Sequence, residues 1–272
     1  MTMDYQTYLP REELSAFIKC YWTLSAAEPA AEEKQRIVPD GCMEMIFHAG
    51  DRYRQYLTDG TCILQPKYFV FGQITQPLEI AATGITRIFS VRFHPDGCLP
   101  FINMPICEMD NKAIPLEHLF GEKGNILGEL VCTSSEAKTQ IKHVENFLLH
   151  QFNTTETIDR IAALSVQALL SLHGQLRVHE LADQLQVHRR QLERRFATVI
   201  GLSPKQLAKI LRLQATWKMM AEGKYDNLTE LAYENGYFDQ AHFIKDFKEF
   251  TGVTPKEFYA GQLTMSHLFH NG

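Results

Sequence analysis

The sequence has little of what stabilises disulfide-linked or zinc-binding proteins. Its 272 residues include six cysteines, and no two of them form a CxxC pair. Clustered pairs are typical of structural zinc sites, and disulfide scaffolds are typical of short secreted chains. We therefore predict reduced, buried thiols and no metal site, with a redox or metal sensor as the alternative. The six are Cys20, Cys42, Cys62, Cys98, Cys107 and Cys132.

Long apolar runs are also absent. The N-terminal segment MTMDYQTYLPREEL lacks the basic start and the apolar stretch of a signal peptide. The longest weakly charged stretch, residues 161–174, is interrupted by Ser and Gln and is shorter than the ~20 apolar residues that a membrane span requires. We expect a soluble, cytoplasmic protein without a membrane partner.

Motifs for catalysis are missing as well. His48, His94 and His118 are far apart and form neither HxH nor HxxxH metal-ligand pairs. The sequence contains no GxSxG element, no phosphate-binding glycine loop and no Cys-His signature. We therefore predict that the protein is not an enzyme and that it has no catalytic residues and no cofactor.

The charge is unevenly distributed along the chain, although the net charge is only −5. Residues 1–172 contain 14 basic and 21 acidic residues, whereas residues 173–272 contain 13 basic and 11 acidic residues. Between residues 185 and 218, eight basic residues are opposed only by Glu193. Such a basic strip favours a polyanionic partner, and an ordinary solvated helix face is the alternative.

The first ~110 residues are rich in strand signals. Proline-Asp-Gly turn signals occur at residues 39–41 and 95–97, and ITRIFSVRF alternates apolar and polar residues as a half-buried strand does. We predict a small antiparallel sheet or barrel-like domain with a helix near residues 11–19. The predicted strands cover Phe17 to Leu24, Met43 to Phe47, Tyr68 to Phe71 and Ile85 to Phe93.

From about residue 112 the pattern is helical, so the predicted fold class is α+β with an all-α C-terminal domain. We divide the chain into a β-rich domain (1–133), a helical linker (134–156) and a helical domain (157–262). Helices are expected from Glu136 to Phe152 and from Thr157 to His173, the second ending at Gly174 as a C-cap.

Two segments of the helical domain repeat one pattern. LADQLQVHRRQLERRFATVIGLSP begins at Leu181, and LAYENGYFDQAHFIKDFKEFTGVTP begins at Leu231. Each starts with Leu-Ala, has a Phe five residues before a Gly, and has a Pro three residues after that Gly. Two copies of one small helical corner are the simplest interpretation of such spacing.

The second helix of each corner is predicted to have a core face and an outward face. Leu192 and Phe196, like Phe243 and Phe247, lie four residues apart and face the core. Asp239 is a good N-cap for the second copy, whereas His188 is a weak one for the first. Arg, Gln and Glu side chains at the start of such a helix can bond base edges in a major groove. The predicted DNA-binding residues are Arg189, Arg190, Glu193, Arg194, Gln240, Ala241, Ile244 and Lys245.

One helix, Lys205 to Ala221, is predicted to join the copies. Its length of roughly 26 Å would place two recognition helices about one DNA turn apart, which is ~34 Å. Lys205, Lys209 and Arg212 are predicted phosphate contacts, with solvated helix charges as the alternative.

The stretches RRQLERRF, GLSPKQ, GYFDQAHFIKDF and GVTPKEF resemble the DNA-binding domain of the AraC/XylS family of bacterial regulators. CYWTL, RIVPDGCMEMIF, FGQITQPLEI and VRFHPDG resemble a domain found ahead of some AraC-type regulators. The resemblance implies two helix-turn-helix units, monomeric or dimeric promoter binding, frequent activation of transcription, and an N-terminal domain that senses an effector or dimerises.

We therefore predict a cytoplasmic transcription regulator that associates with the nucleoid when bound. Its expected partners are double-stranded promoter DNA, RNA polymerase, and either a small-molecule effector of unknown identity or a second copy of the chain. The alternative is a regulator whose helix-turn-helix units have decayed and that acts through protein partners.

Overall fold

Ten strands and ten α-helices make up the part of the chain that the computed structural model describes, which is residues 3–26, 34–152 and 159–260. The strands are β1 (Asp4–Tyr8), β2 (Ile18–Ala26), β3 (Gln35–Ile37), β4 (Glu44–His48), β5 (Tyr53–Tyr56), β6 (Cys62–Leu64), β7 (Tyr68–Phe71), β8 (Leu78–Ala82), β9 (Thr86–Phe93) and β10 (Ala113–Pro115). The helices are α1 (Leu116–Phe120), α2 (Glu122–Thr133), α3 (Ala137–Gln151), α4 (Arg160–Ser171), α5 (Val178–Gln184), α6 (Arg189–Val199), α7 (Pro204–Ala221), α8 (Leu228–Glu234), α9 (Gln240–Thr251) and α10 (Pro255–Ala260).

The strands form two antiparallel sheets. The larger has the order β1-β2-β9-β4-β7-β10, and the smaller has the order β3-β8-β5-β6. All four predicted strands are present, as β2, β4, β7 and β9. The predicted fold class, a β-rich N-terminal domain followed by a helical C-terminal domain, is confirmed.

Strand β9 lies in the middle of the larger sheet and is covered on both faces. Phe89, Val91 and Phe93 pack into a core with α2 and α3, whereas Ile88 packs on the opposite side with Tyr53 of the smaller sheet. The prediction of a half-buried strand therefore missed the second covered face. The alternation of apolar and polar residues along β9 does not show that a second sheet covers its other face.

The prediction of a helix near residues 11–19 is wrong. The segment holds only a 3-10 turn over Glu12–Leu14, and β2 begins at Ile18. The backbone of β2 bonds to both β1 and β9. These two long pairings outweigh a weak local helical pattern.

The first Pro-Asp-Gly signal does form the predicted turn. Gly41 has a φ of +81°, and the Asp40 carboxylate accepts a hydrogen bond from the Cys42 amide at 2.8 Å. Asp bonding to the backbone ahead of it and Gly taking a left-handed conformation are the properties on which the prediction rested.

Helix α3 lies within the segment predicted as a linker. Its Val144 and Leu148 are buried in the core of the larger sheet, beside Leu127 and Val131 of α2. The helix therefore packs on the N-terminal core. The proposed boundaries of the linker and of the two domains stay a prediction.

The helical domain is built around α7. Trp217 of α7 is 1% exposed and contacts Phe258 of α10 edge-on, with ring centroids 4.7 Å apart. The predicted C-cap at Gly174 is wrong by two residues, because α4 ends at Ser171 and Leu172 is its C-cap; the predicted start of this helix at Thr157 lies outside the described residues. Gly174 follows the cap with a φ of +71° and lies against the backbone of α7, so it provides a close approach of two elements.

Replacing Gly174 by Ala tests this close approach. A Cβ at Gly174 would lie 2.0 Å from the Ala208 carbonyl oxygen, in addition to the strain of a left-handed residue. Gly223 is a matched control, because its φ is +65° but nothing lies within 4 Å of an added Cβ. We expect Gly174→Ala to lower the free energy of unfolding in urea by about 1–3 kcal/mol more than Gly223→Ala. Equal losses would show that the approach to α7 is not tight.

Candidate nucleic-acid interface

The first helix-turn-helix unit consists of α5 and α6. Leu181 and Ala182 of α5 are buried, and the Val187 amide bonds to the Ala182 carbonyl oxygen at 3.0 Å across the turn. Gln186 takes a left-handed conformation with a φ of +53°. His188 is the N-cap of α6 and its side chain makes no cap bond, as its chemistry predicts.

The second unit, α8 and α9, has the same design with better local signals. Gly236 occupies the left-handed turn position with a φ of +72°. Asn227 caps α8, and the Asp239 carboxylate caps α9 by accepting from the His242 amide at 2.7 Å. Gly236 and Gln186 therefore hold equivalent positions, and glycine fits that position with less strain.

Both recognition helices, α6 and α9, turn the predicted faces to the core. Leu192 and Phe196 of α6 and Phe243 and Phe247 of α9 are fully buried in one cluster with α7. Since these side chains fix the rotation of each helix, they determine which residues remain outside.

The outward face of α6 is strongly basic. Arg189, Arg190 and Arg194 are exposed, and Arg189 forms an ion pair with Glu193 at 2.9 Å. Among the described residues, Arg190 and Arg194 have no carboxylate partner within ion-pair distance. Two adjacent guanidinium groups on one helix face are available to an acceptor on another molecule.

The outward face of α9 is less polar. Ala241 and Lys245 are exposed, whereas Ile244 is half-buried and packs against the helical core. The Gln240 side chain accepts a hydrogen bond from the Thr229 hydroxyl at 2.8 Å. This face therefore offers an amide, a methyl group and one ammonium group.

The three predicted phosphate contacts on α7 have different surroundings. Lys205 is exposed. The Lys209 ammonium lies 3.0 Å from Asp246 and 2.8 Å from Glu249, and Arg212 donates to the Gly236 carbonyl oxygen at 3.2 Å. Partial burial lowers the pKa of Lys209, but the hydrogen bonds to Glu249 and Asp246 outweigh this effect and raise it overall. Lys209 and Arg212 thus hold α7 and the second unit together.

The structure adds two exposed aromatic residues to this surface. Phe238, directly before the N-cap of α9, is 83% exposed, and Tyr233 of α8 is 60% exposed. Sequence reasoning missed them, although one signal was present: Tyr237 and Phe238 are adjacent in a tight turn, so both cannot face the core. Tyr237 is the buried member of the pair.

The N-terminal domain contacts the C-terminal ends of both recognition helices. Gly201, just after α6, packs against Ile106 and Asp110. Arg36 of β3 donates a hydrogen bond to the Thr251 carbonyl oxygen at the end of α9, at 3.1 Å. The N-terminal turns of α6 and α9 remain outside these contacts.

The described residues contain neither a cluster of metal-ligating side chains nor a helix suited to span a membrane. No group of three or more His, Cys, Asp or Glu side chains there is placed to hold a metal ion. None of the described helices combines the length and the apolar character needed to cross a bilayer.

Two family models match the chain. Residues 181–261 match a helix-turn-helix domain, and residues 6–115 match a domain of unknown function, DUF6597. The first match covers both helix-turn-helix units, and the second covers the two sheets.

Among curated proteins, the chain is 26% identical over 155 residues to the HTH-type transcriptional regulator GbdR of Pseudomonas aeruginosa. That match covers 57% of this chain and 33% of GbdR, so the chain spans about a third of that relative's length. An uncharacterized HTH-type transcriptional regulator of Staphylococcus aureus is 22% identical over 48% of this chain and 19% of its own length.

Among solved structures, ToxT of Vibrio cholerae aligns over 99% of both chains, with 11% identity and a TM-score of 0.48. The DNA-binding domain of AdpA in complex with a target DNA is 26% identical over 39% of this chain and 94% of its own, with a TM-score of 0.34. The family-model matches show that the chain carries a helix-turn-helix domain at residues 181–261, preceded by a domain of the DUF6597 family at residues 6–115.

Proposed function

We propose that this chain is a sequence-specific, DNA-binding transcription regulator. The observation that carries the proposal is a pair of helix-turn-helix units, fixed on one helix, whose recognition helices keep their N-terminal turns exposed. A duplex presents base edges in successive major grooves, and exposed N-terminal turns are the part of such helices that enters a groove.

The first unit is proposed to supply most of the base discrimination. Arg190 and Arg194 have guanidinium groups suited to bidentate bonding of guanine. Arg189 is held by Glu193, so this pair presents both a donor and an acceptor. The Glu193 carboxylate can accept from a cytosine amino group.

The second unit is proposed to contribute fewer direct base contacts. Gln240 can bond adenine, and Ala241 and Ile244 can contact thymine methyl groups. Lys245 suits a phosphate. Phe238 extends this surface, because an aromatic ring beside the groove can pack against a methyl group or a sugar.

Helix α7 sets the spacing between the two units. Its 18 residues span roughly 27 Å. This length is compatible with recognition helices about one DNA turn, ~34 Å, apart. Of the predicted phosphate contacts, Lys205 is the most exposed and is the one we favour.

The N-terminal domain is proposed to bind a small molecule or to dimerise, and thereby to control DNA binding or contact with RNA polymerase. A cavity between its sheets supports ligand binding. Kinship with AraC-type regulators favours activation of transcription. We propose that the protein acts in the bacterial cytoplasm and on the nucleoid.

A regulator that acts only through protein partners is the competing proposal. The exposed arginines of α6 favour DNA. Gel-shift titration at rising salt separates the two, because phosphate contacts make log affinity fall linearly with log salt. Absence of any salt-sensitive DNA binding would support the protein-partner proposal.

Replacing Arg190 or Arg194 by Ala tests the first recognition helix. Each loss of a bidentate guanine contact is expected to weaken binding to the cognate promoter by about 1–3 kcal/mol, with relaxed specificity at one base position. Gel shifts on a bound promoter fragment, identified by genome-wide mapping, measure the effect. Arg87→Ala, an exposed arginine on β9, is the matched control and should bind as the parent protein does. Unchanged binding by both α6 variants would refute the assignment.

Replacing Phe238 by Ala tests the aromatic extension of the second unit. The loss of apolar contact is expected to weaken promoter binding about fivefold, or roughly 1 kcal/mol, without changing the salt dependence. Leu9→Ala is the control, because Leu9 is 85% exposed but lies in the N-terminal domain. Equal affinities of Phe238→Ala and Leu9→Ala would exclude Phe238 from the interface.

A further inference from the structure

A cavity lies between the two N-terminal sheets, and α7 closes one side of it. Its walls include Trp22, Tyr53 and Ile80 from the sheets, and Gln214 and Trp217 from α7. The volume of the cavity that is accessible to water-sized molecules is about 90 Å³, several times the ~10–15 Å³ that one water needs. The cavity therefore has room for a small organic molecule.

When Glu44 is ionised, the charged groups that line the cavity carry a net negative charge. Arg92 is buried and forms ion pairs with both Asp40 and Glu44, the latter at 3.0 Å. Glu44 also accepts from the Trp22 indole at 3.4 Å and from the Ser90 hydroxyl at 3.3 Å. Two carboxylates thus form ion pairs with the same guanidinium group.

The other titratable groups on the cavity wall are neutral. Burial lowers the pKa of His48 to about 4, and it raises the pKa of the Cys42 thiol to about 12. His48 bonds to Gln65 at 3.2 Å and stacks on Tyr53 with a centroid distance of 5.6 Å. Arg92 is the cation among the lining residues, and Lys19, which is not one of them, adds a smaller electrostatic effect that lowers the pKa of Glu44.

We propose, building on the proposed function, that this cavity binds a small, mainly apolar molecule with a cationic nitrogen, such as an aryl-alkyl amine. The nitrogen faces Glu44 and Asp40, where a second positive charge balances the two carboxylates. Trp22, Tyr53 and Trp217 supply aromatic walls, which attract cations as well as apolar groups. An anionic ligand would need a guanidinium group that is already paired, and its own charge would add to the negative excess.

Burial also raises the pKa of Glu44 to about 7, an effect that its hydrogen bonds to Trp22 and Ser90 only partly oppose. A bound cation offsets this cost of burying the carboxylate, since an opposite charge nearby favours the ionised form. A positive ligand in the cavity therefore favours the ionised form of Glu44 over the protonated form.

The ligand would also touch the helix that spaces the two recognition helices. The Gln214 amide donates to the Pro39 carbonyl oxygen at 2.6 Å, and Trp217 belongs to both the cavity wall and the helical core. Asp40, Arg92 and Gln214 line a wider cleft between the domains as well, which gives the ligand a route of entry. The ligand contacts both the N-terminal domain and α7, so its affinity depends on the position of α7 relative to that domain. Affinity changes are reciprocal, so ligand binding in turn shifts the affinity for DNA.

Thermal unfolding of the full chain with three matched probes tests the proposal. The probes are phenethylamine, phenethyl alcohol and hydrocinnamate, which share a phenyl group and differ in charge. We expect phenethylamine to raise Tm most, the alcohol less, and hydrocinnamate not at all. A shift from hydrocinnamate as large as that from the amine, or no shift from the amine, would overturn the proposal.

Two variants locate the effect. Glu44→Gln should weaken phenethylamine binding about tenfold while leaving the response to the alcohol unchanged. Ile80→Phe should remove both responses by filling the cavity, and its own Tm reports whether it folds. Glu129→Gln is the control, because Glu129 pairs with Lys67 on the surface and should respond like the parent protein. An amine response that persists in both Glu44→Gln and Ile80→Phe would place the binding elsewhere.

The same proteins separate this proposal from the proposed function. Gel shifts without any of the three small molecules report DNA binding alone. The thermal shifts report ligand binding in the cavity alone. DNA binding with no amine response refutes the ligand class only. An amine response with no DNA binding, either with or without phenethylamine, refutes the regulator. Coupling is supported if phenethylamine changes promoter affinity in the parent protein and not in Ile80→Phe.

Discussion

Helix α7 is buried on most of its sides, and this burial fixes the positions of its neighbours. Nine of its 18 residues are buried, and they lie on several faces of the helix. A helix that is apolar on most sides must be surrounded, and α4, α6, α8 and α9 all contact it. Each recognition helix is therefore positioned by one shared element, which makes their spacing a property of the fold.

The same helix joins the two domains. Gly41 approaches it so closely that an added Cβ would lie 2.8 Å from Leu207, and Gln214 bonds to the neighbouring Pro39 carbonyl. Arg36 holds the end of α9, and Ile106 lies beside the residues that follow α6. The N-terminal domain thus meets both units and the helix between them, and Trp217 belongs both to the cavity wall and to the core that positions the two units.

The arginines of α6 and the arginine of the cavity lie in different environments. On α6 the arginines are exposed, where water and salt moderate their charge and a phosphate-rich partner attracts them. In the cavity, Arg92 is only 4% exposed and is compensated by two carboxylates, since an unpaired buried charge costs several kcal/mol. The first arrangement is the basis for the proposed polyanionic partner, and the second is the basis for the proposed cationic ligand.

Elements whose signals are local could be predicted from the amino-acid sequence. Repeated spacing, the cap at Asp239, the turn at Gly236 and the i, i+4 pairs such as Phe243 and Phe247 defined both helix-turn-helix units and their buried faces, because helix caps and periodicity act over a few residues. Four other features follow from tertiary packing: β9 is covered on both faces, α3 packs on the larger sheet, two carboxylates hold Lys209, and Trp217 forms part of a cavity wall. Those outcomes depend on contacts between residues far apart in the chain, which no local pattern encodes.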